Sequence, residues 1–405
     1  MEKLDIAIAG AGIAGLAAAA LLSRAGHRAV VFDKLDAPEP IGSGLILQPV
    51  GLAVLDALGV GAAARALGAR IDRLYGRAAP SQRVVLDVRY DAFGPNAPTG
   101  YAVHRGALFQ LLFDAALAAD AEFVARREII AADARTLSFS DGAVSAQFDL
   151  VIDALGMHSP LCRKASTPLA FGALWANLEW CGDFDSHALE QCYERARKMA
   201  GVLAIGRREA NAPQQAALFW SLKHADYAAW RSAPIAAWKE DVLRLWPETA
   251  PLLAQIVRHE DCVFARYAHR TAQPVEAGVA RLGDSWHCTS PQLGQGANMA
   301  LLDALALTRA LEMRASRDDA LALYARMRHR HVWLYQAASW LFTPAYQSDS
   351  AAIAWARDWL GAPLARTPPA PKLLAALVSG AIGAPLGAIS AKRAPHSPLA
   401  ADQPH

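Results

Sequence analysis

Residues 10–15 read GAGIAG, directly after an apolar run at residues 4–9 and directly before an alanine-rich run at residues 13–25. A strand that ends in a glycine turn and opens a helix is the first half of a βαβ unit, which commits a chain to a parallel sheet covered by helices. Gly10 allows the tight turn, Gly12 lets the backbone approach a pyrophosphate, and Gly15 lets helix and strand pack closely. Ala11, Ile13 and Ala14 complete the turn, and the first N–H groups of the helix, unpaired and at its positive end, suit phosphates. A second strand at residues 28–32 ends in Asp33 and Lys34, the spacing at which an acid accepts a ribose hydroxyl. A carboxylate there repels a 2′-phosphate, so the expected ligand is a dinucleotide of the FAD or NAD kind.

With 405 residues, a net charge of +2 and 54% hydrophobic residues, the chain is long enough for two domains or one large interleaved α/β unit. Its positive charge is dispersed, so nucleic acid is not an expected partner; the basic run at residues 326–331 reads as a solvated helix face. Cys162, Cys181, Cys192, Cys262 and Cys288 are an odd number without CxxC or zinc-like spacing, which suggests a reduced cytoplasmic protein and no metal site. The first residues enter a strand without a signal-peptide pattern. Residues 373–389 are apolar but broken by Gly380, Gly383, Pro385 and Gly387, and fall short of the roughly 20 residues of a spanning helix. They suit a buried or homodimer contact, with a weak membrane-surface contact or a lipid substrate as the alternative. The end from residue 394 reads as a loose tail.

The expected fold class is α/β: a discontinuous Rossmann-like nucleotide domain, residues 1–165 and 279–330, with an inserted mixed-sheet substrate domain at 166–278. A C-terminal helical region at 331–390 and a tail at 391–405 follow. The first part should hold a helix at 50–58, a strand pair around 137–148 and a closing strand at 148–154. The insert shows strand alternation at 174–180 and 216–222 and a helix at 234–246. It holds six of the eleven tryptophans, Trp175, Trp180, Trp220, Trp230, Trp238 and Trp246. Core packing explains any one of them, but an aromatic sheet beside a cofactor is also how an apolar, planar substrate is housed.

GDSWH at 283–287, PQLGQGAN at 291–298, GSGLILQP at 42–49 and YAVHRGALFQLL at 101–112 together resemble the group A flavoprotein monooxygenases, the para-hydroxybenzoate hydroxylase-like family, over roughly residues 5–310. The resemblance implies that FAD is the bound nucleotide. It implies that Asp284 bonds the ribityl chain, that the backbone of Gly294, Gly296 and Ala297 faces the flavin pyrimidine ring, and that Pro291 lies along the ring. Asn298 would cap the helix or bond the flavin, Gly44 would sit in a loop passing it, and Arg105 would contact FAD. The physics agrees: a helix at 298–309 turns its positive end toward the negative charge of a reduced flavin, and a guanidinium offers planar paired donors.

One segment departs from the pattern. In DALGMHSPLCR, residues 153–163, Leu155 stands where the family has an acid and Cys162 where an arginine is frequent, with Arg163 next. That region meets FAD and the nicotinamide donor in the family, so NADH and NADPH both stay open, and Asp153 is expected to compensate from a shifted position. The activity implied is hydroxylation of an aromatic or other electron-rich apolar small molecule with O2, through a flavin C4a-hydroperoxide, with NADH or NADPH as transient donor. The cofactor carries such chemistry while the protein positions the substrate and excludes water. His224, Tyr193, His287 and Tyr267 are bases by type and region only, and no catalytic residue is assigned. The alternatives are a related FAD oxidase, oxidative decarboxylase or lipid- or quinone-directed reductase, and a non-catalytic FAD protein; the WxWxIP pattern of flavin halogenases is absent.

Overall fold

In the computed structural model, which describes residues 2–36 and 43–383 together with Pro385 and Gly387, two large sheets organise the chain. The first has six strands in the order Val275–Glu276, Val279–Arg281, Leu150–Asp153, Asp5–Ala9, Arg28–Phe32 and Glu122–Val124. All its pairings are parallel except that of Val275–Glu276. Ile6, Ala7, Ile8 and Ala9 are wholly buried on both faces, as a parallel sheet requires. Alanines 17–20 of the Ile13–Arg24 helix are equally buried and pack in one core with Leu301 and Leu302 of the Gly296–Met313 helix. Because Val279–Arg281 runs beside Leu150–Asp153, segments on both sides of residues 166–278 complete one sheet.

The second sheet has seven strands in the order Val263–Ala265, Phe171–Glu179, Gln215–Lys223, Lys198–Gly206, Ala188–Glu194, Arg73–Ala78 and Arg83–Arg89. This corrects the insert boundary: two strands come from residues 73–89, inside the segment assigned to the nucleotide domain. Arg73–Ala78 joins by pairing in parallel with Ala188–Glu194, a contact between strands over a hundred residues apart that local alternation cannot reveal. Along Phe171–Glu179 the side chains alternate. Leu174, Ala176 and Leu178 enter a core with Trp220, Trp230, Trp238 and Trp246 beneath the Ile235–Leu245 helix, whereas Trp175 faces the cavity. The tryptophans of the insert are therefore mainly core residues.

Three further expectations change. The pair expected around 137–148 forms instead between Ile129–Ala132 and Leu137–Phe139, with Val144 making only an isolated bridge to Ser138. The boundary at 331 cuts a continuous helix, Arg317–Tyr346. Within it Arg328 and His331 are buried, so the basic run is not simply a solvated face. Beyond that helix, short helical segments between residues 351 and 378 cover the Arg83–Arg89 edge strand, with Arg366 donating to the Val84 carbonyl at 2.8 Å. The tail at 391–405 lies outside the described residues.

Candidate active site

At the carboxyl end of the first sheet, Gly10 has φ +101° and an added Cβ would meet the Ala154 carbonyl oxygen at 2.8 Å. On Gly15 an added Cβ would fall 2.0 Å from the Gly10 carbonyl oxygen. Gly12 is the N-cap of the Ile13–Arg24 helix and faces open space, without a side-chain cap or an acid in the first turn, so the leading N–H groups remain available to an anion. Asp33 accepts from the Ala11 N–H at 2.8 Å and from the Leu35 N–H at 3.0 Å, which ties the strand end to the glycine turn. Lys34 beside it is exposed.

A cavity of about 900 Å³ opens against the second sheet, and Gly44, Arg105, Asp284, Pro291, Gly294, Gly296 and Ala297 all line it. Three distant segments meet there. The Leu45–Leu47 strand pairs with Gly100–Val103, and that pairing sets Arg105 at the start of the Arg105–Leu117 helix. Gly44 is small for a steric reason, since a Cβ would lie 2.2 Å from Ile205. Gly294 adopts the left-handed conformation, φ +61°, and turns the chain into the Gly296–Met313 helix, which starts two residues before the expected Asn298 and has no side-chain cap. Its first N–H groups face the cavity.

Asn298 corrects a sequence expectation. Its Oδ1 accepts from the Gln48 N–H at 2.8 Å and its Nδ2 donates to the Ile46 and Gly294 carbonyls at 3.0 and 2.9 Å. The amide thus clamps the 44–48 segment onto the helix start, and it neither caps the helix nor faces a ligand.

Asp284 is surrounded by protein but opens onto the cavity. Burial pushes its carboxyl above the usual range, against the pull of His287 and Arg105. Burial pushes the Arg105 guanidinium below its ordinary value, against Asp284 and Tyr267, and its Nε has no hydrogen-bond partner among the described residues. A guanidinium whose Nε has no partner among the described residues, lining the same cavity as the uncapped start of the Gly296–Met313 helix and the positive-φ Gly294, fits an anionic, oxygen-rich ligand such as FAD.

Other polar residues hold the site without facing it. Asp303 receives the Gly283 N–H at 2.8 Å, His287 Nε2 at 2.7 Å and Arg328 Nε at 2.7 Å. Burial pushes its carboxyl up, but the neighbouring His287 and Arg328 overcome this and hold it below the usual range. Arg270 donates to the Gly156 and Asp284 carbonyls at 3.2 and 2.7 Å. Sequence reasoning passed over Arg270 and placed Arg328 on a solvated face; their partners, the Gly156 and Asp284 carbonyls and Asp303, belong to other elements. Asp153, expected to compensate for Leu155, is wholly buried, and its oxygens accept from the Leu155 N–H at 3.1 Å and the Ser159 hydroxyl at 2.8 Å.

Where the second sheet lines it, the cavity is largely aromatic and aliphatic. Trp175 packs on Phe219 with ring centroids 4.7 Å apart and donates its Nε1–H to the Tyr267 hydroxyl at 2.8 Å. Burial pushes the Tyr267 phenol up to about 12, against its bond from Trp175 and the nearby Arg105. Tyr193, also lining the cavity, donates to Gln191 Oε1 at 2.8 Å. Of the four bases named from sequence, only these two tyrosines reach the cavity; His287 is engaged with Asp303, and His224 lies tilted beside Phe264 with ring centroids 6.1 Å apart.

A model of the FAD binding domain matches residues 3–339. The chain belongs to the FAD binding domain family. Relatives of this FAD-binding protein include 6-hydroxynicotinate 3-monooxygenase of Bordetella bronchiseptica, 27% identical over 82% of this chain and 92% of that one. Aurachin C monooxygenase/isomerase of Stigmatella aurantiaca is 27% identical over 88% of this chain and 93% of its own. In fold, the protein is similar to 2-methyl-3-hydroxypyridine-5-carboxylic acid oxygenase, with a TM-score of 0.73 at 20% identity over 88% of this chain and 96% of that one. PqsL of Pseudomonas aeruginosa, solved with 2-aminobenzoylacetate, gives a TM-score of 0.74 at 21% identity over 86% and 97%. The protein is a FAD-dependent monooxygenase, and FAD is its cofactor.

Proposed function

We propose that this monooxygenase hydroxylates an apolar, planar aromatic molecule held in the cavity against Trp175 and Phe219. The observation that carries this reading is that one cavity is lined both by Arg105, Asp284 and the Gly294–Ala297 turn and by the aromatic side chains of Trp175, Phe219 and Tyr267. Bound FAD supplies the transfer of one oxygen atom from O2 to an electron-rich carbon, with NADH or NADPH providing the electrons. Gly10, Ala11, Gly12 and the Ile13–Arg24 helix start would hold the pyrophosphate, with Asp33 on the ribose. Asp284 and Arg105 would hold the ribityl chain, and the N-terminal end of the Gly296–Met313 helix would face the ring edge on which negative charge accumulates. Trp175 orients the Tyr267 hydroxyl, whose own proton is then free to be donated to a substrate oxygen, while the apolar wall keeps water from the reacting carbon.

Anaerobic reduction of the FAD-loaded protein by NADH and by NADPH, with a panel of phenols, hydroxypyridines and hydroxyquinolines, tests the reading. One compound class should accelerate flavin bleaching and, on admission of isotopically labelled O2, gain one labelled oxygen atom. Flavin turnover without oxygen incorporation into any compound would refute it.

A further inference from the structure

Four tryptophans stand more than half exposed, Trp333, Trp340, Trp355 and Trp359, and all fall within residues 333–359. Leu360 and Leu364, 54% and 64% exposed, extend this apolar tract. Water disfavours so much exposed apolar surface in one stretch of chain, and such surface ordinarily meets something. Its charge says what. Between residues 320 and 383 the two carboxylates, Asp349 and Asp358, are paired with Lys223 and Arg357, whereas Arg326, Arg330, Arg366 and Lys372 are exposed. The sequence adds Lys392 and Arg393 beyond them. A second copy of the chain would bring these like charges together across a two-fold interface, while an anionic lipid surface would neutralise them. Tryptophan, apolar with one polar N–H, is the side chain best suited to the boundary between headgroups and acyl chains.

The same short helices also wall the cavity. Ile353, Gly361, Ala362 and Ala365 line it, in the helical run that exposes Trp359, Leu360 and Leu364. We propose that the 351–373 tract docks the protein onto an anionic lipid surface, from which a lipid-soluble aromatic substrate passes into the cavity beneath it. Passage of substrate rests on the monooxygenase reading above; docking does not. No helix among the described residues is long and apolar enough to cross a membrane, and the proposed contact is with the surface.

The test is co-sedimentation of the FAD-loaded full chain with vesicles of phosphatidylcholine containing phosphatidylglycerol, and with vesicles of phosphatidylcholine alone. Binding should be strong to the first, weak to the second, and reduced by salt. Arg366→Glu with Lys372→Glu should lower the partition coefficient for the anionic vesicles at least about tenfold, and Leu360→Ser with Leu364→Ser should weaken binding to both. These side chains are exposed, so flavin content and melting temperature serve as controls for folding. No sedimentation with either vesicle, or equal binding by the wild-type chain and both variants, overturns the proposal. So does a dimer that the leucine variant dissociates in a protein that ignores vesicles. Vesicle binding that responds to the variants in a protein that oxygenates no compound would support docking and fail the function reading alone.

Discussion

Arg105 stands against the cavity with its Nε unpartnered among the described residues and burial opposing its charge. Such a group strains the protein without its ligand and rewards anionic oxygens when they arrive. Arg105→Met should therefore raise the melting temperature of the FAD-free protein while raising the Kd for FAD by about tenfold or more. Fluorescence titration and thermal melting check both; unchanged FAD affinity would remove Arg105 from the site. His331 makes a separate prediction. Burial and the neighbouring Arg328 push its imidazole down from 6.5 to about 3. Between those values the unfolded chain takes up a proton that the folded chain refuses, so this contribution to stability is complete above about pH 6.5 and is lost as pH falls. At pH 5 the loss is about 2 kcal/mol, and His331→Gln should flatten that part of a stability–pH profile measured by denaturant melts. Arg105 and Asp284 could be found in the sequence because each sits in a compact motif. Arg328 and His331 could not, because their partners, Asp303 and the Gly380 carbonyl, are supplied by other elements.

Two glycines that look alike in sequence do different work in their elements. Gly15 brings the Ile13–Arg24 helix against the turn that feeds it, so Gly15→Ala forces a 2.0 Å clash with backbone and should abolish flavin retention with a marked fall in melting temperature. Gly294 has room, with only Gln48 Nε2 at 3.7 Å from an added Cβ, and is held by its positive φ. Gly294→Ala should cost only about 1–2 kcal/mol, and equal losses for the two variants would refute the distinction. Asp303 joins three elements: the Gly283 turn, the Gly296–Met313 helix that bears it, and the Arg317–Tyr346 helix through Arg328. Asp303→Asn leaves Arg328 buried without its counter-charge and should destabilise by about 3–5 kcal/mol in denaturant unfolding. Element types were legible where a motif or a long period marked them: the Arg28–Phe32 strand follows the glycine-turn helix as a βαβ unit requires, and the Ile235–Leu245 helix falls where its spacing puts it. The hairpin near residue 139 was not, because short strands leave the pairing to turn geometry.

At the scale of the whole molecule, the proposed FAD site draws on segments around residues 10, 44, 105 and 284–297, so the cofactor should couple them. Saturation at a hundred times its Kd should raise global stability by about 2.7 kcal/mol, and calorimetry of loaded and stripped protein checks this; a stripped protein that melts unchanged would mean the segments are assembled independently of the ligand. The discontinuity of the nucleotide domain was legible because both halves carry glycine motifs. The reach of the second sheet was not: nothing within residues 73–89 announces pairing with residues 188–194. That interleaving sets a timetable for synthesis. A ribosome adding about 5–20 residues per second releases the GAGIAG turn at least about fifteen seconds before the Gly296–Met313 helix that packs against its helix, and Arg73–Arg89 also waits for strands made later. Throughout that interval the nascent chain holds half-built sheets with open edges, a state in which chaperones, more than FAD, must keep it from its neighbours.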